Sequence, residues 1–277
     1  MPSEQNAKAE SLLEMHQAPP ILVLPNAWDA ASARIFEKAG ARAIATTSAG
    51  VAFTLGHPDG QSVPRELMLE VIGRIAAAVH VPVTADVEAG YGSTPREMAE
   101  TTSRVIQTGA VGLNLEDATN DPSHPLFSLE EQVERIRAVR ESAERASVRV
   151  VINARTDIFL AQIGEPAKRL EESVRRLNAY RSAGADCLFI PGVTDAPTIS
   201  ELVRQVGGPI NVLVGAGMPS TTELQKLGVA RVSAGSGIMR AAMSFARAAA
   251  VEMLAEGSYN AILDSTISFR ELNDLMK

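Results

Sequence analysis

The chain has 277 residues, 45% of them hydrophobic, a formal net charge of −7 and one cysteine, Cys187. That length is long for an ordinary domain and typical of a single α/β barrel, with apolar material enough for a large core. A negative balance with no Lys/Arg-rich block argues against nucleic acid or an anionic membrane as partner, and a lone cysteine excludes an internal disulfide, so a reducing, cytoplasmic setting is expected.

Residues 1–20 open with a polar helical segment that lacks the apolar core of a signal peptide, and no apolar stretch is long enough to span a bilayer. Short apolar runs of strand type then recur: ILVLPNAWD (21–29), ARAIATTSAG (41–50), VPVTADVEAG (81–90), VGLNLED (111–117), RVVINARTD (149–157), DCLFIPG (186–192), PINVLVGAG (209–217) and ARVSAGSG (230–237). Amphipathic segments such as AASARIFEKAG, RELMLEVIGRIAAAV, PREMAETTSRVIQTGA and LEEQVERIRAVRESA separate them. Thr94-Pro95 and Ser128 with Glu131 are helix-start signals, and Gly40, Gly109, Gly184 and Gly228 stand where helices end. Eight strand-then-helix units (21–257) in one uninterrupted domain spell a (β/α)8 TIM barrel; a doubly wound sheet is the alternative, but no G-x-G-x-x-G follows the first strand. The tail, 258–277, is more than a barrel needs, and its Ile262, Leu263, Ile267, Phe269, Leu272, Leu275 and Met276 predict a helical extension that buries apolar surface in an assembly.

A barrel places its chemistry at the C-terminal ends of its strands. The second strand ends in Thr46, Thr47 and Ser48, with His57 and Asp59 in the following GHPDG; the third ends in Asp86 and Glu88, the fourth in Glu116 and Asp117, the fifth in Arg155 and Asp157. Alternation puts Asp86 and Glu88 on one face, and with Glu116 they would repel unless a cation lay among them. All-oxygen ligands favour a hard ion, Mg2+ first and Mn2+ second. Asp117 and Asp157 are read as solvated acids capping the following helices. Lys8, Lys38, Lys168, Lys226 and Lys277 fall in helices or termini, which closes the Schiff-base route to a carbanion and leaves metal-assisted chemistry. Cys187 starts the sixth strand, at the far end of the barrel, and is read as a buried apolar residue. Trp28 could wall the pocket or pack in the core. GAGMPS (215–220) and SAGSG (233–237) could hold a phosphate on backbone N–H groups or serve only as tight turns.

TTSAGVA, GHPD, ADVEAGYG, GLNLED and INARTD, in this order and spacing, resemble the isocitrate lyase/phosphoenolpyruvate mutase superfamily over the whole barrel. The resemblance implies Mg2+, a 2-oxo acid or its enolate as ligand, and a tetramer, a dimer of dimers, whose last helix is exchanged between paired subunits. It implies that backbone N–H groups of Thr47, Ser48 and Ala49 bind the substrate carboxylate. It also implies that Asp59, Asp86, Glu88 and Glu116 hold the metal, some through water, and that Arg155 reaches the substrate. The sequence departs from the superfamily pattern where the bond to be broken is chosen. The loop after the fourth strand, ATNDPSHPLFS (118–128), has neither the lysine nor the cysteine of the lyases, and Ala118 replaces the lysine of the mutases. Pro191 stands where lyases have Glu and mutases His, and Glu88 where Asp is frequent.

The reading is therefore a Mg2+-dependent lyase on a small 2-oxo acid or its adduct, cleaving a C–C bond or decarboxylating through an enolate. A carbon–phosphorus mutase or hydrolase of phosphonopyruvate type is the second reading, and a non-catalytic 2-oxo acid binder the third. In the altered loop His124 has a suitable pKa for an acid and Asn120 could donate a hydrogen bond. Without a loop cysteine, cleavage of isocitrate or 2-methylisocitrate is not expected.

Overall fold

The computed structural model describes residues 4–17, 19–264 and 267–277; the remaining positions of the expected N-terminal and C-terminal segments lie outside the described residues. Nine parallel segments form one sheet: β1 (Leu22–Leu24), β2 (Asn26–Ala27), β3 (Ile44–Thr46), β4 (Val83–Asp86), β5 (Gly112–Glu116), β6 (Val151–Arg155), β7 (Cys187–Phe189), β8 (Ile210–Leu213) and β9 (Arg231–Ser233). Their order, β1-β9-β8-β7-β6-β5-β4-β3-β2, makes a barrel, because β1 and β2 are two halves of one strand. Pro25 divides them, since it has no N–H for the ladder. β1 pairs with β9 and β2 with β3, so the divided first strand joins the two ends of the sheet. The eight expected strands are thus present, the first in two pieces.

Helices α1 (Glu4–Glu14), α2 (Ala30–Lys38), α3 (Ser48–Thr54), α4 (Arg65–Ala78), α5 (Pro95–Gln107), α6 (Leu129–Arg145), α7 (Arg169–Ser182), α8 (Ala196–Gln205), α9 (Thr221–Lys226) and α10 (Gly237–Val251) accompany the strands. Both expected helix starts form reciprocal capping boxes, Thr94 with Glu97 and Ser128 with Glu131, so two orphan N–H groups are satisfied at each. Gly184 ends α7 at a φ of +113°, where a Cβ-bearing residue would be strained.

The floor of the barrel is closed by α1. Leu12 is fully buried, and a side chain at Gly112 would lie 3.0 Å from its Cδ2. His16, just past α1, is 3% exposed and holds Leu12 O at 2.7 Å through Nδ1. Above this plug the barrel interior is polar. Asn153 donates to Asn114 at 2.6 Å, Ser233 to Asn211 at 3.2 Å, and the fully buried Arg231 reaches Ser233 at 3.2 Å. Cys187 stands opposite Asn153 in the ladder, and burial pushes its thiol up to about 12, so it is not a nucleophile.

One flank is uncovered. Outward-facing Val23 and Val214 are 49% and 58% exposed, and with Phe36, Val232 and Ile238 they line a groove of about 440 Å³. α10 would ordinarily cover it, yet within α10 only Met239 and Ala249 are buried. After a π-helical turn at Glu252–Glu256 and a left-handed Gly257, α11 (Asn260–Asp264) and α12 (Phe269–Leu275) follow, with Leu254, Leu263 and Phe269 largely exposed. Arg34 in α2 holds Leu275 O at 2.7 Å, tying the tail to the outside of the barrel.

Candidate active site

The strand ends bring the expected acids together in the mouth of the barrel. Asp86, the last residue of β4, takes the backbone N–H of Ser48 on Oδ2 at 3.0 Å. Its own N–H is held by Thr46 Oγ1 at 2.8 Å, so strand β3 fixes its height. Glu88 follows with a φ of +53°, a conformation costly for a residue with a side chain. That turn buries the carboxylate, which accepts the N–H of Gln61 at 2.5 Å. Gln61, itself at a positive φ, also accepts the N–H of Tyr91 at 2.7 Å and so stitches the loop bearing Asp59 to the end of β4. The motifs give no sign of Gln61; its role comes from backbone geometry.

Burial first, then the charges of Asp86 and Asp59, push Glu88 up to about 7. Asp59 is raised by partial burial and by Asp86. Glu116 is pushed well above the carboxylate range by burial, with Arg155 opposing. Burial, with like charges added to it, disfavours these carboxylates in ionised form, and a cation among them would relieve that. Among the described residues no three carboxylate, imidazole or thiol groups are close enough to hold one ion directly. A cation bound here would be held by one or two carboxylates and would keep several waters, as Mg2+ does.

Arg155 closes the other side. Its Nη1 is 2.6 Å from Glu116, while Nε and Nη2 hold Asp157 at 2.5 and 2.8 Å. Burial alone would disfavour the cation, but these two carboxylates more than offset it and hold the guanidinium above its ordinary value. The Phe189 ring faces it at 5.8 Å. The reading of Asp157 and Asp117 as solvated caps is therefore corrected. Asp157 is 6% exposed and paired, and Asp117 is fully buried, held by the Tyr180 hydroxyl at 2.6 Å and Arg176 at 3.2 Å. Carboxylates this deep require such partners.

In the TTSAG turn, Thr47 caps α3, its N–H is held by Ala27 O at 3.0 Å, and the N–H of Ser48 is held by Asp86. The half-buried Ala49 is the third of that set. Trp28 meets Phe36 of α2 edge-on at 6.1 Å, so packing is the role with a visible partner. The SAGSG turn spends the N–H groups of Ala234 and Gly235 on Asn26 Oδ1, at 2.9 Å each.

The loop 118–128 is a small flap. Ala118 bridges Leu126, Phe127 N returns to Asp117 O at 2.8 Å, and Arg135 stacks on the Phe127 ring at 3.8 Å. Asn120, at a φ of +62°, reaches Gly60 O at 3.5 Å, beside Asp59. His124 does not join the cluster; its side chain is 83% exposed and turned to Asp121 at 3.4 Å.

The family model described as phosphoenolpyruvate phosphomutase matches residues 12–254, nearly the whole barrel. The chain belongs to that family. It sits within the isocitrate lyase/phosphoenolpyruvate mutase superfamily without one close subfamily. An uncharacterized protein of Mycobacterium tuberculosis is 33% identical, over 93% of this chain and 92% of the relative. The 2-methylisocitrate lyase of Escherichia coli is 29% identical, covering 87% and 82%. A crystal structure from Burkholderia cenocepacia, provisionally assigned as a lyase/mutase, superposes with a TM-score of 0.92 at 39% identity, covering 98% and 97%. The phosphomutase family therefore accounts for the fold and for an enzyme-type mouth.

Proposed function

We propose that this family member is a Mg2+-dependent lyase that acts on a small 2-oxo acid or its adduct, breaking a C–C bond or decarboxylating through the substrate's enolate. The observation that carries the reading is the gathering of Asp59, Asp86, Glu88 and Glu116 beside one buried guanidinium in the barrel mouth. Asp86 would hold the ion, with Asp59, Glu88 and Glu116 ordering its waters, and the ion would supply Lewis-acid stabilisation of the developing enolate oxygen. Arg155 shares that task as a fixed cation, oriented by the fork to Asp157, and needs no reorganisation as charge develops. Of the turn at Thr47, Ser48 and Ala49, the Thr47 and Ser48 N–H groups already serve Ala27 O and Asp86, so the substrate carboxylate would be oriented from Ala49. The flap can exclude water by closing, with Asn120 already against the Asp59 loop and His124 available as the acid once the flap moves. Trp28 packs beside the same turn, where a Cβ at Gly50 would lie 3.0 Å from its own Cβ.

No described helix is long and apolar enough to cross a membrane, and we place the protein in the cytoplasm. The uncovered groove and the apolar tail support an assembly, a homotetramer in which α10 and its extension cover the groove of a paired subunit. A turnover panel tests the activity: 2-oxo acids, malate-type adducts, 2-methylisocitrate and phosphonopyruvate, each with Mg2+. Cleavage or decarboxylation of a 2-oxo acid or small adduct, with none of 2-methylisocitrate, is expected. Turnover of phosphonopyruvate alone would replace the lyase with carbon–phosphorus chemistry, and ligand binding without any turnover would leave a 2-oxo acid binder.

A further inference from the structure

The mouth is divided by charge. From β3 to β6 it presents Asp59, Asp86, Glu88, Glu116 and Asp157 against Arg155. The turns of the other half carry none: from Phe189 to Thr194, from Leu213 to Thr222, and from Ser233 to Met239 no residue is ionisable, and the cation on that side, Arg231, is fully buried one layer below against Ser233 and Asn114. Past the last of these turns the first cation is Arg240, exposed and inside α10.

At the mouth end of this half the larger inward side chains are Phe189 and Leu213, with the small Ser233 beside Leu213 in the ladder. Phe189 stands opposite Arg155 in the ladder, is 4% exposed and presents its ring to the guanidinium. Leu213 lies two residues beyond the inward Asn211, hence on the same face, and a Cβ at Gly235 would come within 2.9 Å of its Cδ1. Gly235 thus makes room for the Leu213 side chain itself.

We infer that the substrate has a single carboxylate, on the 2-oxo acid end, and an uncharged tail that lies against Phe189 and Leu213. The inference rests on the 2-oxo acid reading above and narrows it. A second carboxylate on the tail would be desolvated against Phe189 and Leu213, because Arg155 is already shared by Glu116 and Asp157 and Arg231 is fully buried one layer below. It would also enter a mouth where five carboxylates face Arg155. An alkyl tail instead buries apolar surface against a ring and a leucine.

Calorimetry on the full-length protein with Mg2+ tests this by comparing 2-oxopentanoate with 2-oxoglutarate, the same carbon chain ending in a methyl or a carboxylate. Oxalate is the control for the underlying reading. We expect 2-oxopentanoate to bind at least ~10-fold more tightly, about 1.4 kcal/mol, with phosphonopyruvate grouped with 2-oxoglutarate. In Leu213→Arg the ratio should move toward 2-oxoglutarate by a similar factor. Equal or tighter binding of 2-oxoglutarate by the wild type overturns the inference, as does binding of oxalate with no binding of 2-oxopentanoate. Failure of oxalate itself to bind with Mg2+ would overturn the 2-oxo acid reading instead.

Discussion

Glu88 shows how much of this site is decided by single side chains. Its carboxyl is raised from 4.5 to about 7, so in the metal-free protein its ionisation opposes folding, and that contribution to stability is lost as pH rises from about 4.5 through about 7. A cation reverses the balance because it binds the ionised form. The rise in Tm on adding Mg2+ should therefore be larger at pH 8 than at pH 6, and Glu88→Gln should flatten that difference; scanning calorimetry at the two pH values checks it. Arg155→Lys keeps a charge but loses the fork to Asp157 and the contact with Glu116, and should cost on the order of 2–4 kcal/mol in ligand affinity or transition-state binding. Wild-type kinetics in that variant would remove Arg155 from the chemistry. Asp86, Glu88, Glu116 and Arg155 were legible in the sequence because strand alternation and barrel geometry bring strand ends to one place. Asp117 and Asp157 were misread for a physical reason. The partners that bury Asp117, Arg176 and Tyr180, lie 59 and 63 residues away, and nothing local announces them.

Among the elements, strands and helix caps follow local rules, and they stand where the apolar runs and capping residues put them. The polar barrel interior was not legible: Asn114, Asn153, Asn211 and Arg231 sit in runs that read as apolar, and only closure of the barrel joins them. The plug shows how such an element becomes measurable. Because a carbonyl only accepts, Nδ1 of His16 donates to Leu12, and the neutral ring lies beside Arg231. Burial first, then Arg231, lowers its pKa from 6.5 to about 4, with Asp186 opposing. The unfolded chain takes up this proton first, so stability should fall as pH drops from about 6.5 to about 4, by roughly 3 kcal/mol. Urea denaturation at pH 7 and pH 4 should show a smaller loss in His16→Gln than in the wild type. Equal losses would mean that His16 does not couple α1 to the floor.

At the scale of the molecule, the proposed assembly pairs the uncovered groove of one subunit with the exposed face of α10 of another. Truncation after Gly257 removes Tyr259, Leu263 and Phe269 and should dissociate or destabilise the assembly; a monomer by sedimentation for the full-length protein would contradict this. The tail was legible as excess apolar surface, while the groove was not, because it exists only where α10 leaves the barrel wall. The central claim concerns the mouth: that its carboxylates work through a divalent cation. Oxalate binding measured by calorimetry, with and without Mg2+, in the wild type and in Asp86→Ala, tests that most directly. The account predicts binding only with Mg2+ and only in the wild type, with Asp86→Ala still folded. Equal affinity with and without the ion, or in both proteins, would contradict it.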